Sequence, residues 1–287
     1  METSQKIVFR QTRDFSGVLN ATFAFVRQNY KTLGKIVLFI TGPFILLASI
    51  FGGLYNADSA SLERGAFGLA FFSNLLMTLL AFLVGYAVLN GAVCSYIILY
   101  MNKELHEIGI DAIWQATRKN LGKILLAAFA AAFLTVLGMI MCLLPGIYLF
   151  VPLSFLMIVT LQEQKKLGEA ISRCFKLISE QWWPTFGLLI VMSLIAFALG
   201  FVFNIPNYIL SFWSAFHLRE QGAAPENLRL LSIIASTLSY VAGFFFHVVP
   251  LVAICLQYFN LVEQKEAAGL FEKIGKIGEG NANSPEA

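Results

Sequence analysis

The sequence predicts an all-α, polytopic membrane protein. Its six transmembrane helices form three helical hairpins, and a cytoplasmic amphipathic helix precedes each hairpin. Of the 287 residues, 58% are hydrophobic and 13% are charged, whereas an ordinary soluble domain carries roughly 25% charged residues. The charged residues also avoid the long apolar runs of the chain. Both observations are typical of a protein that resides in a bilayer, because a charge in hydrocarbon is costly.

Six apolar runs correspond to the predicted spans. They cover residues 36–55, 67–100, 124–144, 146–161, 185–204 and 230–262. A helix needs about 20 residues to cross a hydrocarbon core of about 30 Å, so the second and last runs are too long for one simple crossing. We therefore expect them to tilt, to project beyond the bilayer or to break. The candidate breaks are Gly85, Asn90 and Gly91 in the second run, and Gly243 and Pro250 in the last.

Two connections on the predicted extracytoplasmic side of the membrane have characteristic sequence patterns. Pro145 and Gly146 separate the third and fourth runs, which predicts a tight turn and a helical hairpin there. The segment after the fifth run carries aromatic residues such as Tyr208 and Trp213. Aromatic side chains suit the headgroup level, so we expect a short interfacial helix in this connection.

The distribution of lysine and arginine predicts the orientation. Seventeen of the 20 basic residues lie in stretches that a six-span chain places on one side of the membrane, namely residues 1–35, 101–123, 162–181 and 263–287. The opposite side holds only Arg64, Arg219 and Arg229. Basic residues accumulate in cytoplasmic loops. The sequence therefore predicts a multi-pass protein of the cell inner membrane with both termini in the cytoplasm.

The predicted cytoplasmic stretches have apolar residues at helical spacing. In the first stretch, one helix face carries Phe15, Val18, Leu19, Thr22, Phe23, Val26 and Tyr30. In the third, the equivalent face carries Leu167, Ala170, Ile171, Cys174, Phe175, Ile178 and Trp182. Such helices lie in the interface plane or pack on the bundle. We expect Phe15, Phe23, Phe175 and Trp182 to form a cytosolic docking face.

The order of these segments suggests a threefold internal repeat within a single membrane domain, residues 1–277. Each unit has one amphipathic helix and two spans, and the predicted units are 13–100, 105–161 and 167–262. Short sequence matches support this division, since Leu33 to Ile36 recurs as Leu121 to Ile124. The small, polar residues 278–287 predict a disordered tail.

Two polar stripes are the candidate functional sites inside the spans. Ser236, Ser239 and His247 share a face of the sixth span, and Asn74 and Thr78 share a face of the second. One interpretation is close helix packing, with His247 hydrogen-bonded to a neighbouring helix or to a carbonyl freed by Pro250. The other is a polar cavity between these two spans, in which His247 contacts a proton or a ligand.

Several functional classes lack support in the sequence. The spans contain no Asp, Glu, Lys or Arg, and the chain has no P-loop, HExxH, GxSxG or GxGxxG motif. The four cysteines are widely separated and form no metal-ligand pattern. We therefore expect no enzymatic activity, no cofactor or metal, and no nucleic acid partner. The expected partners are the lipid bilayer and other membrane or cytosolic proteins.

A stretch across the fourth span and the third amphipathic helix resembles a known family. The matching residues are Pro145 to Leu149, Pro152 to Phe155, Glu163, Glu169 to Leu177, and Trp182-Trp183. The pattern is similar to the bacterial membrane domain named for its fusion to some glycerophosphodiester phosphodiesterases, and to related six-span proteins without an assigned function. The resemblance implies a membrane-domain fold. It does not imply hydrolysis, because the chain has no room for the catalytic barrel of roughly 250 residues.

Three functional hypotheses follow from the sequence. The first is a non-enzymatic scaffold or accessory subunit whose amphipathic helices dock a partner or the bilayer surface. The alternative is a transporter or exporter of an apolar or amphipathic solute, such as a lipid, through a groove between the second and sixth spans. A third hypothesis, an enzyme that acts on lipids, requires a cluster of polar groups at one membrane depth.

Overall fold

The computed structural model describes residues 6–59, 69–102, 108–221 and 226–267, which are helical with short connections and no strand. Six stretches within these ranges are long and apolar enough to cross a membrane. They are Phe15–Gly52, Phe71–Asn102, Leu121–Met141, Leu143–Gln162, Trp182–Leu210 and Ile234–Glu266. The prediction of an all-α, polytopic membrane protein is therefore confirmed.

The first unit consists of α1 (Phe15–Lys35), a π-helical stretch (Ile36–Thr41), α2 (Gly42–Ser59) and α3 (Leu69–Asn102). The carboxylate of Asp14 caps α1 by accepting a hydrogen bond from the Gly17 amide at 2.9 Å. The sequence predicts an amphipathic helix separate from the first span, whereas the structure joins the two without a break. The wider π turn accommodates extra residues within the helix, so the helix continues.

The second unit consists of α4 (Ile110–Lys119), α5 (Leu121–Met141), α6 (Leu143–Leu153) and α7 (Leu156–Gln162). The chain reverses at the extended residue Cys142, so the prediction of a turn at Pro145 and Gly146 is wrong. Pro145 lies in the first turn of α6, where proline is tolerated because the amide needs no helical partner. Gly146 instead allows close packing, since a Cβ there would lie 2.8 Å from the Met139 backbone.

The third unit consists of α8 (Leu167–Ile178), α9 (Trp182–Gln221) and α10 (Glu226–Glu266). The helix α9 continues through the predicted connection, so the separate interfacial helix expected there is not observed. The two long spans are also continuous at the expected breaks. In α3, Gly91 provides space for a neighbouring helix, because a Cβ at this position would lie 2.4 Å from Cδ1 of Ile124.

The hydrophobic core is concentrated at one end of the bundle, which we call the collar end. It contains the beginning of α1, the helix α8 and the last turns of α10. The helix α7 is buried from Leu156 to Leu161 between these elements. The opposite end has many exposed apolar side chains, such as Ile140 and Met141 at the tip of the hairpin formed by α5 and α6. Exposed apolar side chains in the spans are expected for a surface that faces lipid.

An N-terminal strap, residues 7–14, closes the collar end. Its Phe9 side chain is 2% exposed. The Phe9 ring packs edge-on against the rings of Phe25, Tyr100 and Phe259 at centroid distances of 5.2, 5.9 and 5.8 Å. The Ile7 amide donates to the Tyr100 hydroxyl at 2.9 Å. The strap therefore connects α1, α3 and α10, although the sequence indicates only a polar, basic segment here.

Candidate functional site: a groove between α9 and α10

The polar residues predicted on the sixth span face the fifth span. The Ser236 hydroxyl donates to Oδ1 of Asn207 at 3.2 Å, and the Ser239 hydroxyl donates to the Phe203 carbonyl at 3.1 Å. On the second span, the Thr78 hydroxyl donates to the carbonyl of Asn74 in its own helix at 2.7 Å. The structure therefore pairs Ser236 and Ser239 with the fifth span.

Aromatic rings fill the space between the second and sixth spans. The Tyr86 and Phe244 rings stack with centroids 4.3 Å apart. One turn away, Phe82 lies edge-on to Tyr240 at 4.8 Å. The structure thus has a packed aromatic interface where the sequence predicts a polar groove. A helix pattern shows which residues share a face, but it does not show which neighbouring helix covers that face.

A groove of about 290 Å³ lies instead between α9 and α10. We call it the α9–α10 groove. It is lined by Tyr86 from α3, by Ser193, Ala196, Phe197, Gly200, Phe201, Asn204 and Tyr208 from α9, and by Gly243, His247 and Pro250 from α10. His247 is thus the only residue of the predicted polar cavity that lines the groove.

Several polar atoms in the groove have no hydrogen-bond partner among the residues that the structure describes. The His247 ring lies edge-on to Tyr86 at 4.8 Å, and its nitrogens make no hydrogen bond with any described residue. The hydroxyls of Tyr86, Ser193 and Tyr208 likewise have no partner within the described ranges. The Asn204 amide donates to the Gly200 carbonyl at 2.9 Å, while its Oδ1 has no donor among the described residues. Each unpaired group removed from water costs about 1–3 kcal/mol.

The groove opens sideways. Phe197, Phe201 and Tyr208 on its rim are 67%, 48% and 55% exposed. Two glycines widen it, because a Cβ on Gly200 or Gly243 would meet no atom within 4 Å. Glycine in a helix costs about 1 kcal/mol relative to alanine, and no neighbouring side chain requires glycine at these positions. Their observed effect is to leave space in the groove.

The chemistry of the groove is neutral. None of its lining residues is acidic or basic apart from the imidazole of His247. In the part of the chain that the structure describes, no group of three His, Cys, Asp or Glu side chains could hold a metal ion. The arrangement can therefore form hydrogen bonds and stack on aromatic rings, but it offers no counter-ion for a charged group.

A second cavity, also of about 290 Å³, lies at the collar end between the strap, α9 and α10. Its buried amides bond to one another. The Gln257 amide donates to the Thr185 hydroxyl at 3.2 Å, and the Asn260 amide donates to Oε1 of Gln257 at 3.1 Å. Oδ1 of Asn260 accepts a hydrogen bond from the backbone amide of Arg13 at 2.8 Å. These contacts give the network a structural role, in which it fixes the strap and α9 to α10.

An ionic cluster joins α8 to the ends of α7 and α10. Oε1 of Glu163 accepts hydrogen bonds from Arg173 at 3.0 Å and from the Tyr258 hydroxyl at 2.9 Å, and Lys165 pairs with Oε2. Arg173 also pairs with Glu266 at 2.6 Å. Burial alone would raise the pKa of Glu163, but the bonds from Lys165, Arg173 and Tyr258 outweigh it and lower the pKa below the ordinary value.

The predicted docking residues fall into two pairs. Phe15 and Phe23 on α1 are each 42% exposed. Phe175 and Trp182 instead pack on Tyr148 of α6, with ring centroids 6.4 and 5.9 Å away. The Trp182 indole also donates to the Tyr148 carbonyl at 3.3 Å. The second pair is therefore engaged in holding α6 against α8 and α9.

No protein-family model, curated protein or solved structure matches this chain. The resemblance to the membrane domain fused to glycerophosphodiester phosphodiesterases stays a prediction, as does the threefold repeat. The α9–α10 groove is the candidate functional site of this chain. Its α9 residues have a signal in the sequence, because Ser193, Gly200 and Asn204 share one helix face at spacings of seven and four. The predicted polar cavity involved only the second and sixth spans, so it did not include this face of the fifth span.

Proposed function

We propose that this chain is a non-enzymatic integral membrane protein that binds an amphipathic solute, a lipid or a lipid-like molecule, in the α9–α10 groove. The observation that carries the proposal is the convergence of polar groups from Tyr86, Ser193, Asn204, Tyr208 and His247 on one neutral groove within the spans. Each of these groups has an atom without a hydrogen-bond partner in the described ranges. A bound molecule that supplies hydrogen-bond partners would offset the cost of these groups.

The size and opening of the groove support a lipid-like solute. A water molecule occupies roughly 30 Å³, and sites for drug-sized ligands are usually about 300–1,000 Å³. At about 290 Å³, the groove accommodates a small headgroup rather than a whole lipid. The exposed rim at Phe197 and Phe201 allows an apolar tail to remain among the lipids. The proposed solute is of the same class as in the transport hypothesis. Its proposed binding site lies between the fifth and sixth spans instead of between the second and sixth.

The scaffold hypothesis has less support from the structure. Phe175 and Trp182 already pack on Tyr148. Phe15 and Phe23 remain half exposed, but nothing in the structure indicates what would cover them. A scaffold role therefore stays a prediction from the sequence.

Photolabelling tests the proposed function. The protein is reconstituted into lipid nanodiscs that contain a diazirine-bearing diacylglycerol, irradiated, digested and mapped by mass spectrometry. We expect labelling to be concentrated on residues 193–208 and 243–250.

A Gly200→Ala, Gly243→Ala double variant should fold at least as well as wild type, because both methyl groups enter open space and alanine favours helix. Its labelling should fall about tenfold, since the same methyl groups occupy the groove.

The matched control is Gly122→Ala on α5, where a Cβ also meets no atom within 4 Å. This variant lies outside the groove and should label as wild type does. Labelling that is spread evenly over all exposed spans, with no effect of the double variant, would contradict the proposal.

A further inference from the structure

The polar groups of the α9–α10 groove restrict the headgroup that it can hold. No lining residue carries a fixed charge, and an ionised group without a counter-ion is strongly disfavoured in a low-dielectric site. A phosphate or ammonium headgroup would be such a group. The ligand is therefore expected to have an uncharged headgroup.

The groove offers four side-chain donors beside its acceptors. The hydroxyls of Tyr86, Ser193 and Tyr208 and the imidazole N–H of His247 can each donate, and none has a partner among the described residues. The unpaired acceptors on side chains are Oδ1 of Asn204 and the second imidazole nitrogen, besides the same hydroxyl oxygens. A headgroup with more than one carbonyl oxygen can accept from several of these donors at once.

The walls of the groove favour a flat headgroup. Phe201 lies between Phe197 and Tyr208, with ring centroids 6.2 and 5.8 Å away, and Tyr86 contributes a ring from α3. Offset stacking and edge-to-face contacts between aromatic rings are worth about 0.5–1.5 kcal/mol beyond the buried area. At Gly200 and Gly243 a planar ring can approach the helix backbones, because no side chain intervenes.

We propose that the ligand of the α9–α10 groove is a lipid-soluble quinone, a neutral, planar ring with carbonyl oxygens on opposite edges and an apolar tail. This inference rests on the proposed function and specifies its ligand class. In the bound state, the ring lies against the aromatic rim. Its carbonyl oxygens accept from the Tyr86 hydroxyl and the His247 imidazole, and the tail extends through the side opening into the bilayer.

Histidine NMR tests this assignment directly. The chain has only three histidines, so histidine labelled with ¹³C gives few resonances, and a His247→Asn variant assigns the one from the groove. Decylubiquinone is titrated into the full-length protein in nanodiscs. We expect saturable shifts of the His247 resonance, with His106 and His217 unchanged. A Tyr86→Phe variant, which removes one donor at constant ring shape, should weaken binding about fivefold or more.

Tyr30→Phe is the matched control, because Tyr30 is an exposed tyrosine on α1 outside the groove. The Tyr30→Phe variant should bind decylubiquinone with the same affinity as the wild type. If decylubiquinone leaves the His247 resonance unmoved while the photolabels still map to the groove, the quinone assignment fails and the proposed function stands. If neither probe reaches the groove, both fail. Binding that is equal in wild type and Tyr86→Phe would also overturn the assignment.

Discussion

At the scale of single residues, Glu163 lies at the centre of the ionic cluster at the collar end. It accepts hydrogen bonds from α8 and α10 and pairs with Lys165 in the same loop. Hydrogen bonds to a charged group typically contribute about 1.5–3 kcal/mol. The single carboxylate thus joins three parts of the collar end, and its charge state should affect how firmly they are held.

We predict that Glu163→Gln lowers the free energy of unfolding by about 1–3 kcal/mol at pH 7. The folded protein holds the pKa of Glu163 below the ordinary value of 4.5, so its stabilising contribution is fully present above that value. The contribution is lost as the pH falls through the depressed folded pKa. Thermal unfolding in detergent between pH 7 and pH 3 should show the two proteins converging below about pH 4.5.

Glu169→Gln is the control for this prediction, because Glu169 is an exposed carboxylate in the first turn of α8. It should change stability by less than about 1 kcal/mol. An equal loss in the two variants, or a gap between wild type and Glu163→Gln that is constant down to pH 3, would show that the ionic cluster does not stabilise the collar.

The residues of the candidate site could be predicted only in part. His247 is identifiable from the sequence because it is the one histidine in the middle of an apolar run. Its surroundings are not, since the periodicity of α10 cannot distinguish contact with α3 from contact with α9. The hydrogen bonds of Ser236 and Ser239 to α9 depend on tertiary packing. For the same reason, the unpaired hydroxyl of Tyr86 could be found only in the structure.

At the scale of elements, the N-terminal strap is a short segment without regular structure that has one buried aromatic side chain, Phe9, and several hydrogen bonds. Phe9 is buried among rings from three helices, while its neighbour Val8 is 54% exposed. The guanidinium of Arg13 folds back onto the strap and donates to the carbonyls of Val8, Phe9 and Gln11. Phe9 therefore packs the strap against the helices, and Arg13 bonds to the backbone carbonyls of the strap itself.

We predict that Phe9→Ala releases the strap. Truncation of a buried phenylalanine usually costs about 3–5 kcal/mol, which is more than a segment this short can recover from its remaining contacts. Limited trypsin digestion in detergent, followed by mass spectrometry, should show faster cleavage after Arg10 and Arg13. Val8→Ala should digest at the wild-type rate. Unchanged cleavage in Phe9→Ala would indicate that the backbone hydrogen bonds hold the strap without the ring.

The elements themselves were predictable to different degrees. Hydropathy identifies all six spans, because each apolar run is long and uninterrupted by charge. The connections between the helices were less predictable, because the same residues are compatible with more than one local conformation. Pro145 is compatible with a turn and with the first turn of a helix, and the structure places it in α6. Nothing in the pattern around Lys35 indicates that α1 continues into the first span through a π-helical stretch.

At the scale of the whole molecule, the free cysteines provide a test of orientation. Cys142 is exposed at the tip of the hairpin of α5 and α6, whereas Cys94, Cys174 and Cys255 are buried. The 21 residues of α5 extend about 31 Å, so Cys142 lies about one bilayer thickness from the collar end. Burial also raises the pKa of Cys174 to about 12, which leaves little of its reactive thiolate.

If both termini are cytoplasmic, a membrane-impermeant maleimide should label Cys142 in intact spheroplasts that express the protein. Cys142→Ser should remove this labelling, because the other described thiols are buried. Labelling that appears only after the membrane is permeabilised would place the hairpin tip in the cytoplasm and reverse the predicted orientation.

The sideways opening of the α9–α10 groove also determines how its occupancy depends on conditions. A molecule that enters through the exposed rim at Phe197 and Phe201 arrives from the bilayer and not from bulk water. Its relevant concentration is its mole fraction among the surrounding lipids. Diluting the sample with buffer should leave occupancy almost unchanged, whereas adding empty lipid should lower it. An affinity for this groove therefore has meaning only when it is stated per lipid.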